Sequence, residues 1–260
     1  MTTDNAKATR GTKARAIGAL LGLAVGDAVG TTLEFKPPGT FEPITDMVGG
    51  GPFGLTPGQW TDDTSMAMCL AESILDTGEL DAADQLRRYV KWRRDGYWSS
   101  TGRCFDIGAT TTRALSRFER DATVIDATID HEQAANGSLM RLASVPVRWF
   151  RDPAEAAQLS AESSRTTHPA ARPVDACRLY GAMIAALIGG ADIEAVLAPG
   201  FWSGPALDPE VEAVARGSWR AKEPPQIRGT GFVVAALEAA IWAVAGAEDF
   251  RDAVLRAANL

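Results

Sequence analysis

Alanine is the feature that most constrains this chain, because it supplies 45 of the 260 residues. Alanine has the highest intrinsic helix propensity, whereas the β-branched and aromatic residues that dominate strands form no alternating runs here. The sequence therefore predicts an all-α fold. With 46% apolar and 23% charged residues, a chain of this length can bury a sizeable core and is expected to form one compact domain of orthogonally packed helices.

Apolar periodicity and capping signals place the predicted helices along the chain. The predicted spans are 13–29, 61–76, 81–94, 107–119, 137–150, 153–166, 170–188, 209–217, 230–245 and 248–258. The polar segment 1–11 is expected to be flexible, which leaves a single domain over 12–260. Residues 31–60 are rich in Pro and Gly and predict a long ordered loop, a kind of loop that is usually functional in a compact domain.

Composition and charge exclude several classes of function. The formal net charge of −7 argues against non-specific binding of nucleic acid, which needs a basic surface. The three cysteines are too widely spaced for a disulfide framework or a cysteine zinc site, and they suggest a reducing compartment. Because the chain has only two histidines, His131 and His168, any metal must be held by oxygen ligands.

The apolar run at 16–25 could be mistaken for a signal or membrane segment. It covers ten residues before Asp27, which is too short to cross a bilayer, and no convincing cleavage pattern follows it. We therefore expect a cytoplasmic protein without membrane insertion, and a monomer.

Glycines recur every four residues in the first predicted helix, at Gly18, Gly22, Gly26 and Gly30. This spacing places them along one helix face, where small side chains let another backbone approach closely. Each interior glycine costs about 1 kcal/mol relative to alanine. The seam therefore predicts tight packing or the close approach of a ligand, of which packing is the more common.

Thr61, Asp62 and Asp63 form the clearest cluster of candidate functional groups. Thr61 is placed to cap the following helix, and the two aspartates would then occupy its first turn. Acidic residues in a first turn stabilise a helix through its dipole, which is one interpretation. The other is a site for Mg²⁺ or Mn²⁺, since two carboxylates and a hydroxyl are hard oxygen ligands. Other acids would have to converge on such a site.

Glu34 and Asp106 each lie beside a predicted helix end, where an isolated carboxylate is more often a cap or a solvated group. The segment Asn136–Arg141 offers backbone N–H groups at a predicted helix start, which is a generic phosphate-binding arrangement. Taken alone it is a weak signal, because Asn-Gly is a common turn.

Two other patterns carry no function. The run Gly49–Gly54 matches the dinucleotide pattern G-x-G-x-x-G, but no strand precedes it and no helix opens after it. Cys104 and His168 could in principle form a thiol hydrolase pair, yet nothing local supports it, and a structural cysteine is the more common case.

Taken in order, several segments resemble the ADP-ribosylglycohydrolase family. The resemblance runs from residue 14 to the C-terminus. Its segments are Gly18–Gly22 with Gly26, Asp27 and Glu34, then Trp60–Thr64, Asn136–Arg141 and Thr166–Pro169. Two further segments, Ser99–Gly108 and Arg228–Phe232, look like the branch that acts on dinitrogen reductase. No single motif is decisive, whereas the ordered set is specific.

The resemblance implies a dinuclear Mg²⁺ or Mn²⁺ site and hydrolysis of the N-glycosidic bond between ADP-ribose and a protein arginine. Dinitrogen reductase is one candidate among such modified proteins. By position, the implied metal ligands are Thr61, Asp62 and Asp63, and the implied catalytic residues are Glu34, at the metal–substrate centre, and Asp106, as an acid/base or ribose-binding carboxylate. The implied substrate-binding residues are Phe105, Asn136, Gly137, Ser138, Met140 and His168, of which Gly137, Ser138 and Met140 would hold the diphosphate.

The resemblance is incomplete in one place. Members of this family usually carry a Gly-Asp-x-Asp-Thr motif near the C-terminus that supplies the remaining metal ligands, and this sequence contains no such motif. Asp249 and Asp252 are predicted to be helical and are not expected to replace it. We therefore expect the second metal to be held weakly. The alternative function is an ADP-ribose-binding domain with impaired catalysis.

Overall fold

Helices account for all the regular secondary structure in the computed structural model, which describes residues 2–126 and 134–260, with the backbone alone for 2–9. The α-helices are α1 Thr2–Gly30, α2 Asp62–Thr77, α3 Ala82–Asp95, α4 Ala109–Asp121, α5 Ser144–Trp149, α6 Pro153–Arg165, α7 Ala171–Gly189, α8 Ile193–Leu197, α9 Pro209–Ala215, α10 Val233–Ala245 and α11 Phe250–Ala258. Short 3-10 helices span Thr31–Leu33 and Ser218–Ala221. In the described ranges there are isolated β-bridges but no strand. The predicted all-α fold is confirmed.

Aspartate caps explain why several helices begin where they do. The side chains of Asp81, Asp152, Asp192, Asp208 and Asp249 each accept a hydrogen bond from a backbone N–H in the first turn that follows. At 152 and 208 the next residue is proline, whose missing N–H costs nothing at the first helical position. These local signals are the reason that most predicted boundaries agree with the structure within a few residues.

The structure differs from the predicted helices in three places. The helix expected over 137–150 begins only at Ser144, because residues 137–143 form consecutive turns. The short helix α8 was not predicted. The first helix begins at Thr2, so the polar segment 1–11 continues into it, and its expected flexibility stays a prediction.

The core lies around α7, which packs along α6 in the most extensive helix–helix contact. Fully buried leucines from α2, α3, α4, α7 and α10 fill the space beside this pair, among them Leu70, Leu86, Leu115, Leu179 and Leu237. Gly181 makes the close approach of α6 and α7 possible, since a Cβ there would lie 2.1 Å from Oγ of Ser160.

The glycine seam of α1 does not pack tightly, so the packing interpretation is wrong, whereas the close approach of a ligand stays a prediction. A Cβ placed on Gly18, Gly26 or Gly30 would meet no atom within 4 Å, and at Gly22 it would touch only the Phe250 ring at 3.4 Å. The Phe250 ring of α11 is therefore the described group that comes close to this face of α1, and it does so at one glycine of the four.

The apolar part of the first helix is also longer than the sequence argument assumed. The segment Arg10–Leu33 contains an 18-residue window with a mean hydropathy of 1.6 and is long and apolar enough to cross a membrane, with 28% of that window buried in the fold. The core helix of a soluble protein meets the same criterion, so the absence of membrane insertion stays a prediction.

Candidate active site

Asp27 joins the C-terminal end of α1 to the N-terminus of α2. Its carboxylate accepts hydrogen bonds from the N–H groups of Thr61 and Thr64, both at 3.0 Å, and from their hydroxyls at 2.8 and 2.6 Å. Thr61 occupies the N-cap position as predicted, but its side chain does not cap the helix. A carboxylate from another helix does so instead, which fixes where Asp62 and Asp63 lie.

Four further carboxylates converge on this helix start. Asp62 and Asp63 occupy the first turn of α2, Glu34 follows the first 3-10 helix, and Asp106 precedes α4. Burial, followed by the nearby acids, raises the pKa of Asp62 and of Asp63 well above the ordinary value. Burial also raises the pKa of Asp27, against the four hydrogen bonds that lower it.

Glu34 and Asp106 form a hydrogen-bonded pair. Burial, the charge of Asp106 and the hydrogen bond to it raise the pKa of Glu34 to about 7. Burial also raises the pKa of Asp106, to about 6, while its hydrogen bonds with Glu34 and Asp62 act in the opposite direction. The two carboxyls therefore titrate as a pair that shares a proton, with both pKa values above the ordinary range.

The backbone is strained at this pair. Asp106 has a φ of +61°, and so does Phe35, directly after Glu34. A left-handed conformation is uncommon for residues other than glycine, and such positions concentrate at functional sites. The strain fixes the direction in which each carboxylate is presented.

The long loop 31–60 brings an aromatic wall to the same place. Phe53 from this loop packs edge-on against Phe105, with ring centroids 5.2 Å apart. Gly51 lets the loop lie against the first 3-10 helix, since a Cβ there would be 2.3 Å from the carbonyl oxygen of Thr31. The run Gly49–Gly54 is thus a turn in this loop, in agreement with the rejection of the dinucleotide pattern.

The predicted phosphate-binding segment is a series of turns rather than a helix start. The carbonyl of Asn136 accepts from the N–H groups of Leu139 and Met140, at 2.8 and 3.2 Å. Among the described residues, nothing accepts a hydrogen bond from the N–H groups of Gly137 and Ser138. These two adjacent donors therefore remain able to bind an anion.

The side chains of this segment are placed differently from one another. The Ser138 hydroxyl is buried and accepts from Ser164 at 2.8 Å, so that any contact with a ligand would come from the backbone of Ser138. Met140 is half-buried against the core. His168 packs on Gly137, where a Cβ would lie 2.9 Å from Cε1 of the ring.

The start of α4 links the carboxylates to this segment. Asp106 precedes α4, and Thr111 in its first turn has its hydroxyl oxygen 3.4 Å from the Cβ position of Gly137. A cavity of about 570 Å³ adjoins His168 between α4 and residues 167–170. Its lining includes Arg113, Arg117 and Arg120, which makes this side of the site basic while the other side is acidic.

The sequence-predicted residues therefore divide into two neighbouring groups. One contains Thr61, Asp62, Asp63, Glu34, Asp106 and Phe105, and the other contains Asn136, Gly137, Ser138, Met140 and His168. Sequence reasoning missed Asp27 as a member of the first group. The signal was available in the Gly26-Asp27 pair, but nothing in the local sequence shows that this carboxylate caps a helix that starts 35 residues later.

Cys104 is half-buried close to this site but is not an activated nucleophile. Burial, and then the charge of Asp62, raises the pKa of its thiol to about 11. The thiol hydrolase interpretation therefore gains no support.

The donor set is suitable for a hard cation in its chemistry. Because the Thr61 hydroxyl donates its proton to Asp27, its oxygen lone pairs are left for another partner, and Asp62 and Asp63 follow directly. Among residues 2–126 and 134–260, however, no three His, Cys, Asp or Glu side chains are arranged closely enough to hold a metal ion. Burial and the mutual repulsion of these neighbouring carboxylates raise their pKa values, which a bound cation would oppose.

Comparison with known proteins gives the same answer as the motifs. A model of the ADP-ribosylglycohydrolase family matches residues 8–260. This chain belongs to that family. A solved structure titled "ADP-ribosylglycohydrolase-related protein complex" has the same fold, with a TM-score of 0.82 and 37% identity over 96% of this chain and 82% of that one.

Among three curated family members, two share more of their sequence with this chain than the other one does. Proteins named ADP-ribosylarginine hydrolase Tri1, from Pseudomonas putida and Serratia proteamaculans, are 46% and 41% identical over 95% of this chain. The ADP-ribosyl-[dinitrogen reductase] glycohydrolase of Rhodospirillum rubrum is 35% identical over 70% of the chain and 60% of its own length. The chain spans just under two thirds of the two Tri1 proteins, 65% and 66%.

Proposed function

We propose that this chain is an ADP-ribosylarginine hydrolase, which cleaves the N-glycosidic bond between ADP-ribose and the arginine side chain of a modified protein. The observation that carries the proposal is the placement of a proton-sharing carboxyl pair next to two open backbone N–H donors, with the start of α4 between them. The carboxyl pair can act on a glycosidic bond, and the two N–H donors can bind a diphosphate.

The carboxyl pair supplies the proton transfers. At neutral pH Glu34 and Asp106 differ in pKa, so one can hold a proton while the other is ionised. In the hydrolysis, a water oxygen bonds to the anomeric carbon and the carbon–nitrogen bond breaks. The water loses a proton to a carboxylate, and the guanidine leaves with its electron pair and takes up a proton.

Mg²⁺ or Mn²⁺ is part of the proposal. Asp62, Asp63 and the Thr61 hydroxyl would hold it, at the point where the structure concentrates like charge. A bound cation would orient ribose hydroxyls and water and neutralise the acids. Phe105 and Phe53 would form the apolar side of the ribose subsite.

The modified arginine in the proposed substrate belongs to a protein, as the names of the Tri1 relatives state for those proteins. Dinitrogen reductase is the less favoured substrate, since the relative named for it shares less of its sequence with this chain. The protein is proposed to act as a cytoplasmic monomer.

A second candidate is an ADP-ribose-binding domain with impaired catalysis. The observation that favours it is that the described acids form no three-ligand group. The N–H donors of Gly137 and Ser138 would be retained in such a domain.

One experiment separates the two candidates. The full chain is incubated with a protein ADP-ribosylated on arginine, in Mn²⁺, in Mg²⁺ and in EDTA, and released ADP-ribose is measured. Asp62→Asn is the test variant, and Asp95→Asn, an exposed acid on α3, is the matched control. Release that requires the cation and is lost in Asp62→Asn supports the hydrolase. Binding of ADP-ribose in calorimetry, without release from the modified protein, supports the binding domain. If the chain neither releases ADP-ribose nor binds it, both candidates are contradicted.

A further inference from the structure

Phe35 is exposed and is held in a backbone conformation that favours glycine. Its side chain is 76% exposed, and its φ of +61° follows Glu34 with a φ of −55° and a ψ of 138°. The N–H of Lys36 donates to the carbonyl of Leu33 at 3.0 Å, so these four residues form a type II turn with Phe35 at its third position, where glycine is usual. Such a φ costs about 1–3 kcal/mol, and an exposed ring offsets little of it by burial. Folding alone therefore gives no reason for a phenylalanine here.

The Phe35 ring is the outer end of a row of three aromatic rings. It packs edge-on against Phe53, with ring centroids 6.4 Å apart, and Phe53 packs edge-on against Phe105 at 5.2 Å. Phe53 and Phe105 are half-buried. Both ends of the row adjoin the carboxyl pair in sequence, since Glu34 precedes Phe35 and Asp106 follows Phe105. The row therefore extends from the carboxyl pair to solvent.

The face of the Phe35 ring is open to a cation from outside the chain. The rings of Tyr89 and Trp242 each have an arginine of this chain over them, whereas no described lysine or arginine lies over Phe35, and neither does the adjacent Lys36. Aromatic faces attract cations because the face of the ring carries negative potential. The acids at 27, 34, 62, 63 and 106 lie together beside the row and add negative charge. This surface therefore suits a planar cation.

The order of contacts along the site matches the order of groups in an ADP-ribosylated arginine. Gly137, with its open N–H, lies beside Thr111 in the first turn of α4. Asp106 precedes that helix, and the aromatic row begins at Phe105 and ends at Phe35. In the substrate, the diphosphate is followed by the ribose, its anomeric carbon and then the guanidinium. Adenine lies on the other side of the diphosphate, so the guanidinium is the group expected at the outer end of the row.

We propose that Phe35 is a specificity-determining residue that stacks on the guanidinium of the substrate arginine, so that the chain prefers ADP-ribose joined to arginine over ADP-ribose joined to an uncharged side chain. This inference rests on the proposed function, for which it names the leaving-group subsite. A guanidinium is planar, delocalised and weakly hydrated, and it stacks on aromatic faces. The contact binds the cation without touching the bond that breaks, so it acts on substrate binding.

Steady-state kinetics of the full chain on ADP-ribosylarginine, in Mn²⁺, tests the contact. Phe35→Leu removes the aromatic face and should raise KM about 2- to 5-fold, the usual size of an exposed cation–π contact, with kcat nearly unchanged. Phe35→Trp should keep the wild-type KM. Phe250→Leu is the matched control, because Phe250 is also an exposed phenylalanine and lies on α11. An unchanged KM in Phe35→Leu, or an equal rise in Phe250→Leu, would overturn the proposal.

Two further measurements test the charge of the ligand and the potential of the ring. L-arginine should inhibit the wild-type chain more strongly than its neutral analogue citrulline, and the difference should shrink in Phe35→Leu. Phenylalanines with one, two or three ring fluorines at position 35 weaken the negative potential of the face while they keep its shape, so KM should rise stepwise. Equal inhibition by arginine and citrulline, or a constant KM across the fluorinated series, would contradict the cation–π contact.

Calorimetry separates this inference from the proposed function. Free ADP-ribose lacks the guanidinium, so wild type and Phe35→Leu should bind it equally. Weaker binding in Phe35→Leu would show that the ring contacts ADP-ribose itself, which overturns the leaving-group assignment. If wild type releases no ADP-ribose from ADP-ribosylarginine, the hydrolase function fails, and the affinity for ADP-ribosylarginine then decides the Phe35 contact. Tighter binding by wild type than by Phe35→Leu supports that contact, and equal binding or none refutes it.

Discussion

The structure buries charge of opposite sign in two adjacent regions, and they respond to burial differently. Around the start of α2, several carboxylates lie together, and burial and their proximity to one another raise their pKa values. At Arg141 a single buried cation has no carboxylate partner among the described residues and is held by hydroxyls and an aromatic ring. A carboxylate can take up a proton, but a guanidinium cannot lose one. The acidic region is therefore sensitive to pH and cations, and the basic region has a fixed charge.

The two regions should affect different kinetic constants. Glu34→Gln removes the group that holds the shared proton and should lower kcat by about 10²- to 10⁴-fold, the usual size of general acid–base catalysis. Gly137→Ala, in the segment with the two unpaired N–H groups, should weaken substrate binding and leave kcat nearly unchanged. Steady-state kinetics on a protein ADP-ribosylated on arginine separates the two effects, and a fall in kcat of similar size in both variants would break the distinction.

Divalent cations should stabilise the folded chain by binding in the acidic region only. At saturating Mn²⁺ or Mg²⁺ the free energy of unfolding should increase by about 2–3 kcal/mol if the concentration is near 100 times Kd. The gain should be larger at pH 8 than at pH 5, where the acids are protonated, and should disappear in Asp62→Asn. Thermal unfolding with and without EDTA measures it. An equal gain in Asp62→Asn would show that the cation binds elsewhere.

Gly137 is where the two regions meet. Gly137→Ala would place a Cβ 2.9 Å from Cε1 of His168, which forces the ring away from the two open N–H donors. We expect ADP-ribose binding to weaken about 10-fold while the fold is retained, as circular dichroism would show. Gly231→Ala, at a position where a Cβ would meet nothing within 4 Å, is the matched control. Calorimetry that found equal affinity in both variants would contradict this placement.

The smallest expected effect is on stability as a function of pH, in the absence of divalent cations. Glu34 has an ordinary pKa of 4.5 and a folded-state pKa of about 7, so the folded chain binds the extra proton between these values. The free energy of unfolding should therefore fall as pH rises from 4.5 to 7. For a half-exposed carboxyl that solvent screens, the change is on the order of 1 kcal/mol. Urea titrations at several pH values measure it, and Glu34→Gln should flatten the profile. A rise of stability across this window would contradict the assigned shift.

Much of the fold follows from local sequence. Aspartate caps, proline at first helical positions and alanine-rich apolar repeats place most of the helices, because these effects act within one or two turns. The acids at 34, 62, 63 and 106 and the Asn136–Arg141 segment were likewise visible as motifs. Their roles as metal ligands, catalytic groups and substrate-binding residues stay predictions.

Local reasoning failed where a partner comes from a distant part of the chain. The glycine repeat of α1 predicted tight packing or the close approach of a ligand. The close approach of two helices occurs instead at Gly181, between α6 and α7. Residues 137–143 were predicted to begin a helix, yet they form turns. The residue before these turns, Asn136, donates its backbone N–H to the Gly231 carbonyl at 2.9 Å, which ties the segment to a distant part of the chain.

Sequence alone determined the helical class and the family, since propensity and ordered motifs are properties of composition and order. The oxygen ligands of any metal site stay a prediction from the scarcity of His and Cys. Only the tertiary structure decided that Asp27 caps α2, that Glu34 lies beside Asp106, and that the Thr167 hydroxyl lies between Arg141 and His168. Each of these depends on hydrogen bonds and burial between segments far apart in the chain, where distance and desolvation, rather than residue type, set the energy.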